Sequence, residues 1–213
     1  MKKNIRYCDE LHWVSLWRRL GVYSYDKVVN AYIELVERYN KPHRKYHNLE
    51  HINHCLTEFS TVWILATEPD VLELAIWYHD AVYDISAPDN EELSALVVEA
   101  VMMDFLLPVD LIEKVKNIII ATKHNEIPDR YDARLMLDID ISNIGQAEKF
   151  KETNKLIREE YSSVPSSLFA SGRSNILQSF LSRPSIYLTE FFQEKYEKSA
   201  RENIASSVTE LNA

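Results

Sequence analysis

Glycine is scarce in this chain: Gly21, Gly145 and Gly172 are all there is in 213 residues. Few residues can then take a positive φ without steric cost, so a fold built on tight hairpins has little support. Neither G-x-x-x-x-G-K nor G-x-G-x-x-G occurs, which removes the phosphate-cradling and dinucleotide-binding loops. Cysteine is nearly absent too. Cys8 and Cys55 lie far apart and form no C-x-x-C, a pattern that fits free thiols in a reducing compartment better than a disulfide framework. Positive charge is also short: 24 Lys and Arg against 33 Asp and Glu leave a net charge of −9. That balance argues against a broad basic face, so no nucleic-acid partner is expected. No apolar run reaches the roughly 18 residues of a spanning helix, and the basic N-terminus leads into no apolar signal core. A cytoplasmic protein without membrane contact is the expectation.

What is present is helical periodicity. Leu11, Val14, Trp17 and Leu20 recur at helical spacing and Gly21 follows as a stop. Ser24 can cap a second helix carrying Val28, Tyr32, Leu35 and Tyr39, and Pro42 breaks the pattern after it. Asn48 is placed to cap a third, with the stripe Leu49, Ile52, Leu56, Phe59 and Trp63. Pro69 opens a fourth, apolar on nearly all sides from Val71 to Tyr78, the mark of a helix buried at the centre of a domain. A loop at 84–90 precedes a helix through Leu93, Leu96, Val97, Ala100, Val101 and Phe105. Pro108 opens another that runs to about Lys123-His124. The run 135–141 reads as strand or helix in isolation, and helix is expected because no strand partner is near. A charged helix at 146–161, a serine-rich loop at 162–172 and two or three helices broken at Pro184 complete the chain. The expected class is all-α, in a single domain.

Against this background the histidines stand out. His43, His47, His51 and His54 fall within twelve residues, and His79-Asp80 follows at the end of the apolar helix. An ionised Asp80 there is costly without a partner. Imidazole and carboxylate together suit a transition-metal ion. H-E-x-x-H is excluded because Asn48 follows His47, and no Glu-x-x-His of the ferritin type occurs. Asp138 and Asp140 alternate with Leu137, Ile139 and Ile141, so one can face inward while the other meets water. His124, at a helix end, reads equally as a ligand or as a dipole-stabilised surface residue. His12, His43 and His54 read as structural or surface residues.

The order H…HD…D, over roughly Arg44 to Ile144, resembles the HD-domain superfamily of metal-dependent phosphohydrolases. The resemblance implies a helical HD core at about 44–144 with further helices at about 146–211. It implies His51, His79, Asp80 and Asp140 as metal ligands. Asp140 is preferred to Asp138 because Asp140-Ile141-Ser142-Asn143 is similar to a segment of the related cyclic-nucleotide phosphodiesterases. Those enzymes share the Tyr-His-Asn-x-x-His string of Tyr46 to His51, which implies His47 as proton donor. They carry a histidine where Tyr83 stands here. The chain also resembles a bacterial family of small HD proteins through Arg44-Lys45-Tyr46-His47-Asn48, Trp77-Tyr78-His79-Asp80, Asn90-Glu91-Glu92-Leu93-Ser94 and Ala200-Arg201-Glu202-Asn203.

The implied activity is hydrolysis of a small phosphorylated molecule, a nucleotide or other phosphomonoester or phosphodiester. One or two divalent ions are implied (Mn, Fe, Co, Ni or Zn, with Mg admissible). Asp80 is placed to take a proton from water. His124, Asp84 and Glu91 are candidates for a second metal or for orienting the first. Arg44 and Lys123 are candidate phosphate-binding cations, with Arg173, Arg183 and Arg201 behind them. A homodimer is admissible. The alternatives are a di-iron oxygenase of HD type and an inactive metal- or nucleotide-binding protein.

Overall fold

The structure is a computed structural model that describes residues 7–212. Among the described residues there are ten α-helices, two short 3-10 turns and no strand, an all-α architecture. None of these helices is long and apolar enough to cross a membrane. The described residues divide into two units, with the boundary between Met136 and Leu137.

The first unit holds α1 (Glu10–Arg19), α2 (Tyr25–Tyr39), α3 (Leu49–Val62), α4 (Pro69–Tyr78), α5 (Asn90–Asp104), α6 (Val109–Ala121) and the start of α7 (Tyr131–Asp140). Helix α4 is its centre. Every residue from Val71 to Tyr78 is buried, and the helix packs on α1, α3, α5 and α6. Aromatic rings fill the space on one side. Trp13 meets Trp77 edge-on at 5.1 Å and Trp17 at 5.5 Å, and Trp17 meets Phe105 at 4.7 Å. Such edge contacts suit the ring quadrupole. The indole of Trp13 donates to Val28 O and the Tyr39 hydroxyl to Trp77 O, so two polar tips are satisfied inside the core. Asp132, on α7, accepts from the backbone N–H groups of Thr67 and Glu68 and so caps the entry to α4. The chain thus fixes α4 at its start and along its whole surface, and its far end delivers His79.

The second unit contains the end of α7, a 3-10 turn at Ser142–Gly145, and α8 (Ala147–Glu160), α9 (Ser166–Leu181) and α10 (Glu190–Leu211). Gly145 is required by proximity: a Cβ there would sit 2.5 Å from the Tyr196 side chain. Two buried or half-buried carboxylates shape the approach to α10. Asp138 accepts from Leu188 N, Thr189 N and Thr189 Oγ1. Glu197 accepts from Ile186 N, Tyr187 N and Ser185 Oγ, and from Arg201.

Some expectations shift. The loop expected at 162–172 is shorter, because α9 begins at Ser166. Pro165 serves as its N-cap, and Arg158 holds the preceding turn by donating to Tyr161 O and Val164 O. The buried face of α5 is Ser94, Ala95, Val98 and Met102, leaving Leu93 and Leu96 exposed. Likewise α1 buries Trp13, Val14, Leu16 and Trp17 and leaves Leu11 exposed, and Trp63 leaves α3 for an exposed 3-10 turn. The ambiguous run 135–141 is helical as far as Asp140.

Burial pushes the Glu197 carboxyl up, but its backbone donors, Ser185 and the charge of Arg201 outweigh it and hold it below the usual carboxylate range. A depressed carboxyl contributes stability above its unfolded pKa and loses that contribution as pH falls through the folded one. Glu197→Gln should therefore lower stability at neutral pH, and the gap to wild type should narrow as pH drops below about 4. Urea unfolding across a pH series checks this.

Candidate metal centre

Helix α3 begins where the sequence expects it to. Asn48 accepts from Glu50 N at 2.9 Å with its own backbone extended, and His51 follows within the first turn. His79 is the C-cap of α4, where its backbone N–H still bonds Ala75 O. Its ring Nδ1 lies 2.9 Å from Ile76 O. A carbonyl can only accept, so Nδ1 carries the proton. In the neutral ring, Nε2 then presents a lone pair. That Nε2 faces His51 Nε2 at 3.2 Å. Asp80 Oδ2 completes a triangle, 3.2 Å from His79 Nε2 and 3.6 Å from His51 Nε2. Both imidazoles are almost fully buried, while the Asp80 side chain keeps 16% exposure, so the triangle opens to solvent on the carboxylate side.

These spacings test the fit to a metal. Bonds of about 2.1 Å, at angles from perpendicular to tetrahedral, put neighbouring ligand atoms about 3.0–3.4 Å apart. Two edges of the triangle fall in that window and the third exceeds it by a few tenths. The second nitrogen of His79 is held by a backbone carbonyl, the usual way of fixing a ligating ring. The group can therefore hold a metal ion. Burial opposes the charged form of Asp80, but the positive charge that His79, then His47 and His51, carry when protonated outweighs burial and pulls its carboxyl below the usual range.

His47 stands just outside the triangle. Its ring centroid is 6.2 Å from that of His51 and only 3.8 Å from Tyr83, on which it stacks with the planes 21° apart. Tyr46 lies edge-on to it at 4.8 Å.

Arg44, a candidate phosphate-binding cation from the sequence, is buried. It is 5% exposed and its guanidinium donates to His47 O, Asp80 O and Ala81 O, over the ring of Tyr39. It pins the segment before α3 to the one after α4. Lys123 pairs with Glu92 at 2.6 Å and donates to Pro88 O. Asp84 is exposed and closes its own turn by accepting from Ser86 N and Ser86 Oγ, bonds that lower its pKa. Glu91, in the first turn of α5, is half-buried. Burial first, and the charge of Asp80 among lesser causes, raise its pKa. His124 follows α6 with φ +56°, a left-handed conformation that histidine tolerates better than most residues. Asp140 ends α7, half-buried, in the second unit. Asp138 has three acceptor positions taken by the Leu188–Thr189 turn.

Sequence reasoning missed three things: the carbonyl clamp of Arg44, the Tyr83 stack and the way α5 holds the 80–90 loop. Ser94 Oγ exchanges hydrogen bonds with Val82 N and O, and Asn90 does the same with Asp84. The spacing of Asn90 and Ser94, four apart on one helix face, was the available signal. Comparison with protein-family models, with curated proteins and with solved structures gives no match for the chain.

Arg44→Lys keeps the charge but cannot span three carbonyls. It should cost about 3 kcal/mol of stability, because buried carbonyls lose charged donors. Urea unfolding of the two proteins measures the difference.

Proposed function

We propose that the chain is a metal-dependent phosphohydrolase acting on a small phosphorylated molecule. The observation that carries this is the triangle of His51 Nε2, His79 Nε2 and Asp80 Oδ2, with the tautomer of His79 set by Ile76 O. Asp140 is the proposed fourth ligand: with His51 and His79 it makes a set of two imidazoles and a carboxylate of the kind that holds a metal ion. The commitment of Asp138 to the Leu188–Thr189 turn favours Asp140 over it. The resemblance of this H…HD…D order to the HD superfamily supports the same set. Two neutral imidazoles favour Mn, Fe, Co, Ni or Zn over Mg.

When bound, such an ion supplies Lewis-acid polarisation of a phosphoryl oxygen and a water of lowered pKa. The chain's own residues do the rest. Asp80, ionised and open to solvent on one side, accepts a proton from the attacking water. His47, held by its face against Tyr83 at the rim, protonates the leaving oxygen, a task suited to an imidazole near neutral pH. Glu91, in the first turn of α5, adds negative potential toward Asp80.

Metal analysis of the purified protein, then a phosphatase and phosphodiesterase panel with Mn, Fe, Co, Ni, Zn and Mg, tests the reading. His51→Ala and Asp80→Ala should each lose metal and turnover; retention of both in either variant sinks the site. His47→Ala should keep its metal yet lose about a hundredfold or more in rate. Loss of metal in that variant would make His47 a ligand instead. Dioxygen consumption by an iron-loaded protein inert toward every phosphate ester would replace hydrolase by oxygenase.

A further inference from the structure

The second unit contains a cleft that the metal chemistry does not use. It has a volume of about 470 Å³ and lies among α8, α9 and α10, within the range of small-molecule sites. Its lining follows helical spacing on all three elements. Phe150, Asn154 and Arg158 repeat every four residues on α8, and Lys151 and Lys155 form a second row beside them. Phe169 and Arg173 come from α9, and Asn203, Ser207 and Glu210 from α10. Where these helices would otherwise interdigitate bulky side chains, Ala147, Ala170 and Ser206 leave room.

The chemistry of the lining is uneven. Lys151, Lys155, Arg158 and Arg173 face one acid, Glu210, in a chain whose net charge is −9. The field in the cleft is thus opposite in sign to that of the whole protein. Two of the cations are organised. Arg173 donates twice to Asn154 Oδ1, and Asn154 donates in turn to Ser207 Oγ, so a hydrogen-bonded line ties all three helices. Arg158 lies over the ring of Phe169 at 4.9 Å. Lys151 and Lys155 stand at the rim, 73% and 77% exposed, with only long ion pairs within their own helix. Phe169, half-buried, and Phe150, 2% exposed, make the apolar part of the lining.

We infer that this cleft binds a small organic anion, a carboxylate, phosphate or sulfonate head on an apolar body. The head sits toward Arg173 and the two lysines, and the body lies against the phenylalanines. The site is separate in chemistry from the histidine centre and stands whether or not that centre is a hydrolase.

Isothermal titration of the full-length protein in EDTA, with naphthalene-2-sulfonate as probe, tests it. The sulfonate cannot be hydrolysed as a phosphate ester. It should bind, and 2-naphthol (body without charge) and inorganic sulfate (charge without body) should each bind at least about tenfold more weakly. Lys151→Glu with Lys155→Glu, at exposed positions that do not threaten folding, should weaken the sulfonate about tenfold. Ala170→Trp, which fills the cleft, should abolish binding with an unchanged urea midpoint. His51→Ala with Asp80→Ala should leave it unaltered. Absence of sulfonate binding overturns the inference. So does sulfonate binding that ignores both cleft variants, or that vanishes only in the histidine-centre variant.

Discussion

A buried guanidinium that reaches three backbone carbonyls holds the first unit's functional end together. Arg44 enters the protein with almost no exposure and donates to the carbonyls of His47, Asp80 and Ala81. Two chain segments far apart in sequence, the one leading into α3 and the one leaving α4, are thereby tied to a planar fork. Such a fork is rigid, permanently charged and spends its donors in fixed directions. The carbonyls it reaches lie at helix ends, one before a helix start and the others after a helix end, where backbone groups commonly need outside partners. The triangle of His51, His79 and Asp80 draws its atoms from both segments, so the clamp bears on its geometry.

The remaining order comes from the core. Helix α4 is buried on all sides and capped from α7 by Asp132, so its last residues have little latitude. His79 inherits that fixity and adds a hydrogen bond back to Ile76 O. Two carboxylates do equivalent work on the second unit's α10, where Asp138 and Glu197 gather the backbone donors of 186–189. Asp132 in the first unit, like Asp138 and Glu197 in the second, is thus occupied with backbone amides at a helix entry. Asp80 differs, with ring nitrogens as its recorded neighbours.

Much of the helical frame was legible because periodicity and caps are local. Asn48, the apolar run of α4 and the breaks at Pro42 and Pro184 could be read residue by residue. The face of α5 could not, because burial of Ser94 and Ala95 in place of Leu93 and Leu96 is decided by what packs there. The start of α9 was hidden by a serine-rich composition that also suits a loop. Of the candidate centre, the residue types were visible as an improbable charge beside apolar neighbours. Arg44's role was not, since carbonyl acceptors are the same at every position and leave no trace in a sequence. Nor was the engagement of Asp138 by the Leu188–Thr189 turn, some fifty residues away.

The stack of His47 on Tyr83 sets the plane of that imidazole. An imidazole has two kinds of surface: a flat face that makes no strong hydrogen bonds, and an edge where both nitrogens lie. His79 is aimed by its edge, and one nitrogen is consumed in doing so. His47 is aimed by its face, against a ring on a loop that Ser94 and Asn90 fasten to α5. The tilt of the His47 ring therefore answers to a loop anchored on α5, while its backbone belongs to the segment leading into α3. One side chain at the rim thus takes its plane from one part of the chain and its tether from another.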